Sequence, residues 1–253
     1  MRAFLFLLLF GVSVNVCAFT VQGNKFETTS AEYGLGALST EFNIAFSDAM
    51  NIWNKSTGFN FTAHTSAVTD PCVLSTQDGR HAVAFATTVC GENFGEALAV
   101  TEIVSFGKIN SYAHVTFNED NVWSVYDGAL KFDENGNAII DFRRVAVHEL
   151  GHAMGIDHEE SVSSIMEARY SGDVTTPTQD DINGIHEVYP SLTGQGEVIV
   201  VKETQSEPAP SSSENTNNEE SGGGGGGSFH PLMMCLILFS SLIMKRPRKL
   251  NKI

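Results

Sequence analysis

The densest chemistry in this chain runs from His148 to His158, read as His-Glu-Leu-Gly-His-Ala-Met-Gly-Ile-Asp-His. Residues four apart on a helix share one face, so His148 and His152 would present two imidazoles side by side. Glu149, beside the first, would reach a water held on a metal there. Gly155 tolerates positive φ and can end the helix in a sharp turn. That turn lets His158 swing back as a third nitrogen ligand. Three imidazoles leave the fourth position of a zinc ion open to water, as in a catalytic rather than a structural site. Zinc lowers the pKa of such a water from 15.7 toward about 7. Glu149 would accept its proton as general base, and the hydroxide would attack a carbonyl carbon. The plainer alternative, a buried helix with satisfied histidines, leaves Glu149, Gly155 and His158 unexplained.

These residues need a frame. Asp141 can cap a helix from Phe142 to about Met154, in which Val147, Leu150 and Met154 form the core face. Upstream, Phe42, Phe46, Ala49, Met50 and Trp53 recur at helical spacing, with Ser39 or Thr40 as cap and Gly58 as terminator. Short apolar runs at 59–61, 81–87, 97–104 and 109–117 read as strands. Thr178 with Asp181 three residues on reads as the cap of a last helix, striped by Ile182, Ile185 and Tyr189 and stopped by Pro190. Residues 19–38 read as an entry strand plus loop, and 118–140 as loop. Within the latter, Asp133-Glu134-Asn135-Gly136-Asn137 is rich in oxygen ligands. It is a candidate calcium loop, with an ordinary solvated turn as the alternative.

The spacing H-E-x-x-H-x-x-G-x-x-H resembles the signature of the metzincin metallopeptidases. Gln179-Asp180-Asp181-Ile182-Asn183-Gly184-Ile185 and the run from Ala45 to Phe59 narrow the resemblance to matrixins. It covers roughly Leu38 to Tyr189. The resemblance implies an α+β zincin fold: a twisted mixed β-sheet, a first long helix, an active-site helix and a C-terminal helix. It implies one catalytic zinc on His148, His152 and His158, with Glu149 as the catalytic residue. Met166 would sit on a tight turn beneath the histidines, and Ala168 stands where astacins and serralysins carry a tyrosine. The strand at 109–117 would border the cleft and hold extended substrate at its edge. The primary specificity pocket would be shaped by the loop around Met166–Pro177. The second, structural zinc of matrixins finds no match: His64, His81 and His114 are scattered and read as isolated surface histidines. No cysteine motif for zinc-blocking latency precedes the domain.

Composition bounds the rest. A formal charge of −15 argues against a nucleic-acid partner and for a soluble extracellular protein. Arg2, an apolar run and Val16-Cys17-Ala18 read as a signal peptide over 1–18, with a mature start at Phe19. Export makes Cys72 and Cys90 a candidate disulfide, since Cys17 leaves with the leader and Cys235 lies in the apolar tail. The catalytic domain is expected over 19–190 and a disordered Ser/Glu/Gly-rich linker over 191–228. An apolar segment with a basic end, 229–253, is short for a membrane span. The glycine run, apolar segment and basic end resemble the GlyGly-CTERM sorting signal of Gram-negative bacteria. That implies transient inner-membrane anchoring, a sorting protease and release to the surface or medium, with a permanent anchor as the alternative. The expected whole is a monomeric zinc endopeptidase acting on protein or peptide substrates. Its rival is an inactive surface adhesion or binding module that kept the fold, which would have little use for Glu149.

Overall fold

The computed structural model describes residues 18–65, 81–171 and 174–197. In chain order these form β1 (Thr20–Val21), β2 (Ser30–Gly34), α1 (Thr40–Thr57), β3 (Asn60–His64) and β4 (His81–Ala86). There follow β5 (Ala99–Phe106), β6 (Ile109–Asn118), β7 (Val122–Ser124), β8 (Lys131–Phe132), β9 (Ala138–Asp141), α2 (Phe142–Met154), β10 (Ile156–Asp157) and α3 (Gln179–Val188). The main sheet runs β3-β2-β4-β6-β5, parallel except for β5 against β6. This is the expected α+β architecture, a mixed sheet with three helices.

Helix α1 forms where its sequence dictates. The Ser39 side chain accepts from Phe42 N, Glu41 sits in the first turn, and Gly58 closes the helix in the left-handed region at φ 78°. Its buried stripe of Ala45, Phe46, Ala49, Met50 and Trp53 joins the core that also holds Val147, Leu150 and Met154 of α2. Trp53 Nε1 donates to Val147 O at 2.8 Å, satisfying the indole inside the core and fixing α1 against α2.

Two expectations are corrected. The strand at 109–117 is not an edge: β6 pairs with β4 on one side and β5 on the other. The antiparallel β5–β6 hairpin puts β5 on an outer edge of the sheet, and its Thr101 reaches Glu149 of α2. His81 and His114 are not surface histidines but 5% and 2% exposed. They lie on the paired strands β4 and β6 and cap them crosswise. Ala113 N donates to His81 Nδ1 at 3.2 Å, and Ala82 N donates to His114 Nδ1 at 2.9 Å.

The segment read as loop over 118–140 contains a small sheet, β7-β9-β8. Its Asp133 carboxylate is turned onto its own loop, accepting from Asn135 N, Asn137 N and Asn137 Nδ2. After α3 the chain stays on the domain: a 3-10 turn, Pro190–Leu192, leads to Glu197 N, which donates to Lys55 O at 2.6 Å. Residues 190–197 thus pack on the end of α1. Among the described residues no helix is long and apolar enough to cross a membrane. The leader up to Cys17, Cys72, the glycine run and the apolar tail lie outside the described residues.

Candidate active site

Helix α2 starts at Asp141, whose side chain accepts from Arg143 N, and stops at Gly155, with φ 109°. A Cβ at Gly155 would lie 2.5 Å from Asn24 O, so the turn needs glycine for space as well as for φ. The stop frees Ile156–Asp157 to pair with Thr20–Val21 as β10 against β1. Asp157 Oδ1 accepts from His158 N at 2.8 Å and closes the turn.

That geometry brings the three predicted histidines together. One nitrogen from each of His148, His152 and His158 lies within 4.8 Å of the others. His148 Nδ1 lies 2.7 Å from Ile165 O and His152 Nδ1 3.0 Å from Ile156 O. A carbonyl only accepts, so each Nδ1 carries the hydrogen and each Nε2 keeps its lone pair. His152 Nε2 and His158 Nε2 converge to 3.2 Å. Burial, with mutual repulsion of the imidazoles, holds the pKa of His148 well below the ordinary value and that of His152 at about 4. Neutral imidazoles with oriented lone pairs fit a zinc ion.

Glu149 follows His148 on α2 and is 1% exposed. Burial pushes its carboxyl up to about 8, against the hydroxyl and backbone N–H of Thr101, which pull it down. Its Oε2 accepts from Thr101 Oγ1 at 2.6 Å, while Oε1 is buried with no hydrogen-bond partner.

Met166 is 1% exposed and lies directly under α2. A Cβ on Gly151, between the first two histidines, would come within 2.5 Å of its sulfur. The turn is held by Asp181 of α3. Its carboxylate accepts from Ser164 Oγ at 2.5 Å, Ile165 N at 3.1 Å, and Thr178 N and Oγ1 at 2.7 Å each. Asp181 thus caps α3 and grips the segment whose Ile165 carbonyl orients His148. A second brace comes from Gln22, whose backbone N donates to Gly155 O at 2.8 Å and whose Nε2 donates to Ile156 O at 3.2 Å.

Beside His148 opens a small pocket lined by Ile165, Tyr170, Ser171 and Val174, with Arg144 also on its wall. Arg144 donates to Ser171 O at 2.6 Å and Gly128 O at 2.8 Å, which ties the pocket loop to the helix.

Thr101, Gln22 and the Met166-gripping role of Asp181 escape a reading of the sequence alone. Thr101 and Gln22 follow no motif. Asp181 is legible as a cap, but its second set of partners is set only by how α3 docks.

The sequence profile of the matrixin family matches residues 28–190. The chain is 27% identical to matrilysin of Rattus norvegicus over 185 residues, covering 69% of this chain and 63% of that one. It is 30% identical to metalloendoproteinase 2-MMP of Arabidopsis thaliana over 172 residues, covering 66% and 42%. It is 44% identical to interstitial collagenase of Oryctolagus cuniculus over 69 residues, covering 24% and 14%. The chain thus spans less than two thirds of the length of these relatives. With its family profile matched across more than half of its length, around a helix and turn that bring three histidines together, this chain belongs to the matrixins.

Proposed function

We propose that this chain is a zinc-dependent endopeptidase, with His148, His152 and His158 as the metal ligands and Glu149 as general base. One observation carries the reading. A buried carboxylate with one unpartnered oxygen, Glu149 Oε1, belongs to the residue next to His148, and His148 and His152 each turn an unprotonated Nε2 to the cluster that His158 completes. Zinc bound there would supply a water of lowered pKa and polarise the scissile carbonyl. Glu149 Oε1 takes the proton of the attacking water and returns it to the leaving amine. No covalent enzyme intermediate is required. An extended peptide lies along β5, whose outer edge offers main-chain groups that an added strand can pair with. The side chain next to the scissile bond enters the pocket beside His148. Met166, positioned by Asp181, serves as an apolar floor under the ligands.

The same proposal includes export by a signal peptide over 1–18, a Cys72–Cys90 disulfide, and processing of the tail near the glycine run Gly222–Gly227. Cys90, with a positive φ of 53°, lies half-buried in the turn bridged by Val89 and Glu92.

The test is digestion of an unfolded protein by the purified chain, with Glu149→Gln and a zinc chelator as controls. Cleavage that both controls abolish supports the reading. A Glu149→Gln protein as active as wild type sinks Glu149 as base. An inactive wild type that binds one zinc favours the binding-module alternative.

A further inference from the structure

We infer that Thr101 is a positioning residue for the general base, and that it decides which oxygen of Glu149 takes the proton. The inference rests on the reading of Glu149 given above. Thr101 lies on the edge strand β5, opposite Val115 of β6, and is 1% exposed. Its Oγ1 is 2.6 Å from Glu149 Oε2 and 3.0 Å from Glu149 O. One hydroxyl hydrogen faces two acceptors and serves one at a time. The carboxyl oxygen is the nearer acceptor, at 2.6 Å against 3.0 Å, and holds the hydroxyl in this geometry.

Two consequences follow from this geometry. Oε2 is occupied, so the free basicity of the carboxylate is concentrated on Oε1, which is buried and without a partner. The side chain is also held at one end by its own backbone and at the other by Thr101. It therefore waits in place and loses little freedom when the water arrives. Once Oε1 is protonated, the carboxyl is neutral and the hydroxyl can turn to Glu149 O, 3.0 Å away, without any heavy atom moving. A valine would keep the shape of Thr101 and remove this bond. Besides Thr101, no other residue among the described ones donates to the Glu149 side chain.

The experiment uses Thr101→Val and Thr101→Ser in the full chain, with kcat, KM, zinc affinity by chelator competition, and thermal melting of the metal-free proteins. Loss of a hydrogen bond to a charged group predicts a fall in kcat of about 10- to 100-fold in Thr101→Val. KM and zinc affinity should stay within about twofold of wild type, and Thr101→Ser should recover most of kcat. In a Glu149→Gln background, Thr101→Val should cost nothing more, since residues that act as a unit are not additive. Three results would overturn the inference: wild-type kcat in Thr101→Val, an equal loss in Ser and Val, or a loss of kcat that tracks zinc affinity or melting. If Glu149→Gln is itself as active as wild type, the base assignment fails instead, and the two failures are distinguishable.

Discussion

Replacing His81 and His114 together by asparagine should make the fold resist acid, at a cost in stability at neutral pH. Each imidazole accepts a backbone N–H from the opposite strand through Nδ1. Asparagine Oδ1 can accept the same bond and does not titrate. Burial, with repulsion from His114, pulls His81 down to about 3, and burial pulls His114 down to about 4. In the unfolded chain both should titrate near 6.5. Both folded values are depressed, so between about pH 6.5 and pH 4 the unfolded chain binds two protons that the fold refuses. Stability is therefore full above about pH 6.5 and falls as pH drops, by about 1.4 kcal/mol per unit for each histidine. From pH 7.5 to 5.5 the wild type should lose roughly 2.7 kcal/mol more than the double variant, and each single variant should recover about half of that. Urea unfolding in the presence of a chelator measures this, because His148, His152 and His158 then titrate alike in both proteins and cancel in the difference. Equal acid losses in wild type and double variant would refute the reasoning. It would mean that the two strands let the imidazoles charge in place.

Asp181→Asn should loosen the Met166 turn, since an amide nitrogen would face backbone N–H groups that now meet a carboxylate oxygen. Zinc affinity should fall by about 10- to 100-fold, read by competition with a chelator. Gly155→Ala should fail to hold zinc or melt several degrees lower, because φ 109° and the 2.5 Å approach to Asn24 O both exclude a Cβ. Unchanged melting and zinc binding there would mean that the turn can rearrange. Free zinc at a thousandfold excess over its dissociation constant should stabilise the protein by about 4 kcal/mol, roughly 10 °C in melting temperature. A Glu149→Gln protein should keep this shift while losing activity.

What could be read from the sequence follows from how local each feature is. Helix α1 was legible end to end because its cap, its buried stripe and its terminating glycine are all encoded within one continuous run, Ser39 to Gly58. The three converging histidines were legible for the same reason, with helical periodicity and one glycine carrying the geometry. The small sheet β7-β9-β8 was not, because strands of two to four residues show no period. The mistaken edge came from a similar limit. The alternation in β6 marks a strand but does not say what pairs on either side of it. His81 carried a usable signal, since it opens the unbroken apolar run Ala82–Ala86, which reads as a strand covered on both faces. Thr101 and Gln22 carried none: they meet the site only because β5 and β1 pair where they do.

The grip of Asp181 on the Met166 turn has a consequence for how the protein matures. A chain is made from its N-terminus, so all three histidines exist before the carboxylate that orients the first of them. A nascent chain that has not yet made α3 would carry every metal ligand and lack the brace on Ile165. Metal capture is then a late event, timed by the docking of the last helix rather than by the appearance of the histidines. A truncation just before Thr178 would display the full signature in its sequence and still hold zinc poorly. On the proposed reading, zinc retention would report completed folding, with a delay between the appearance of the histidines and their use.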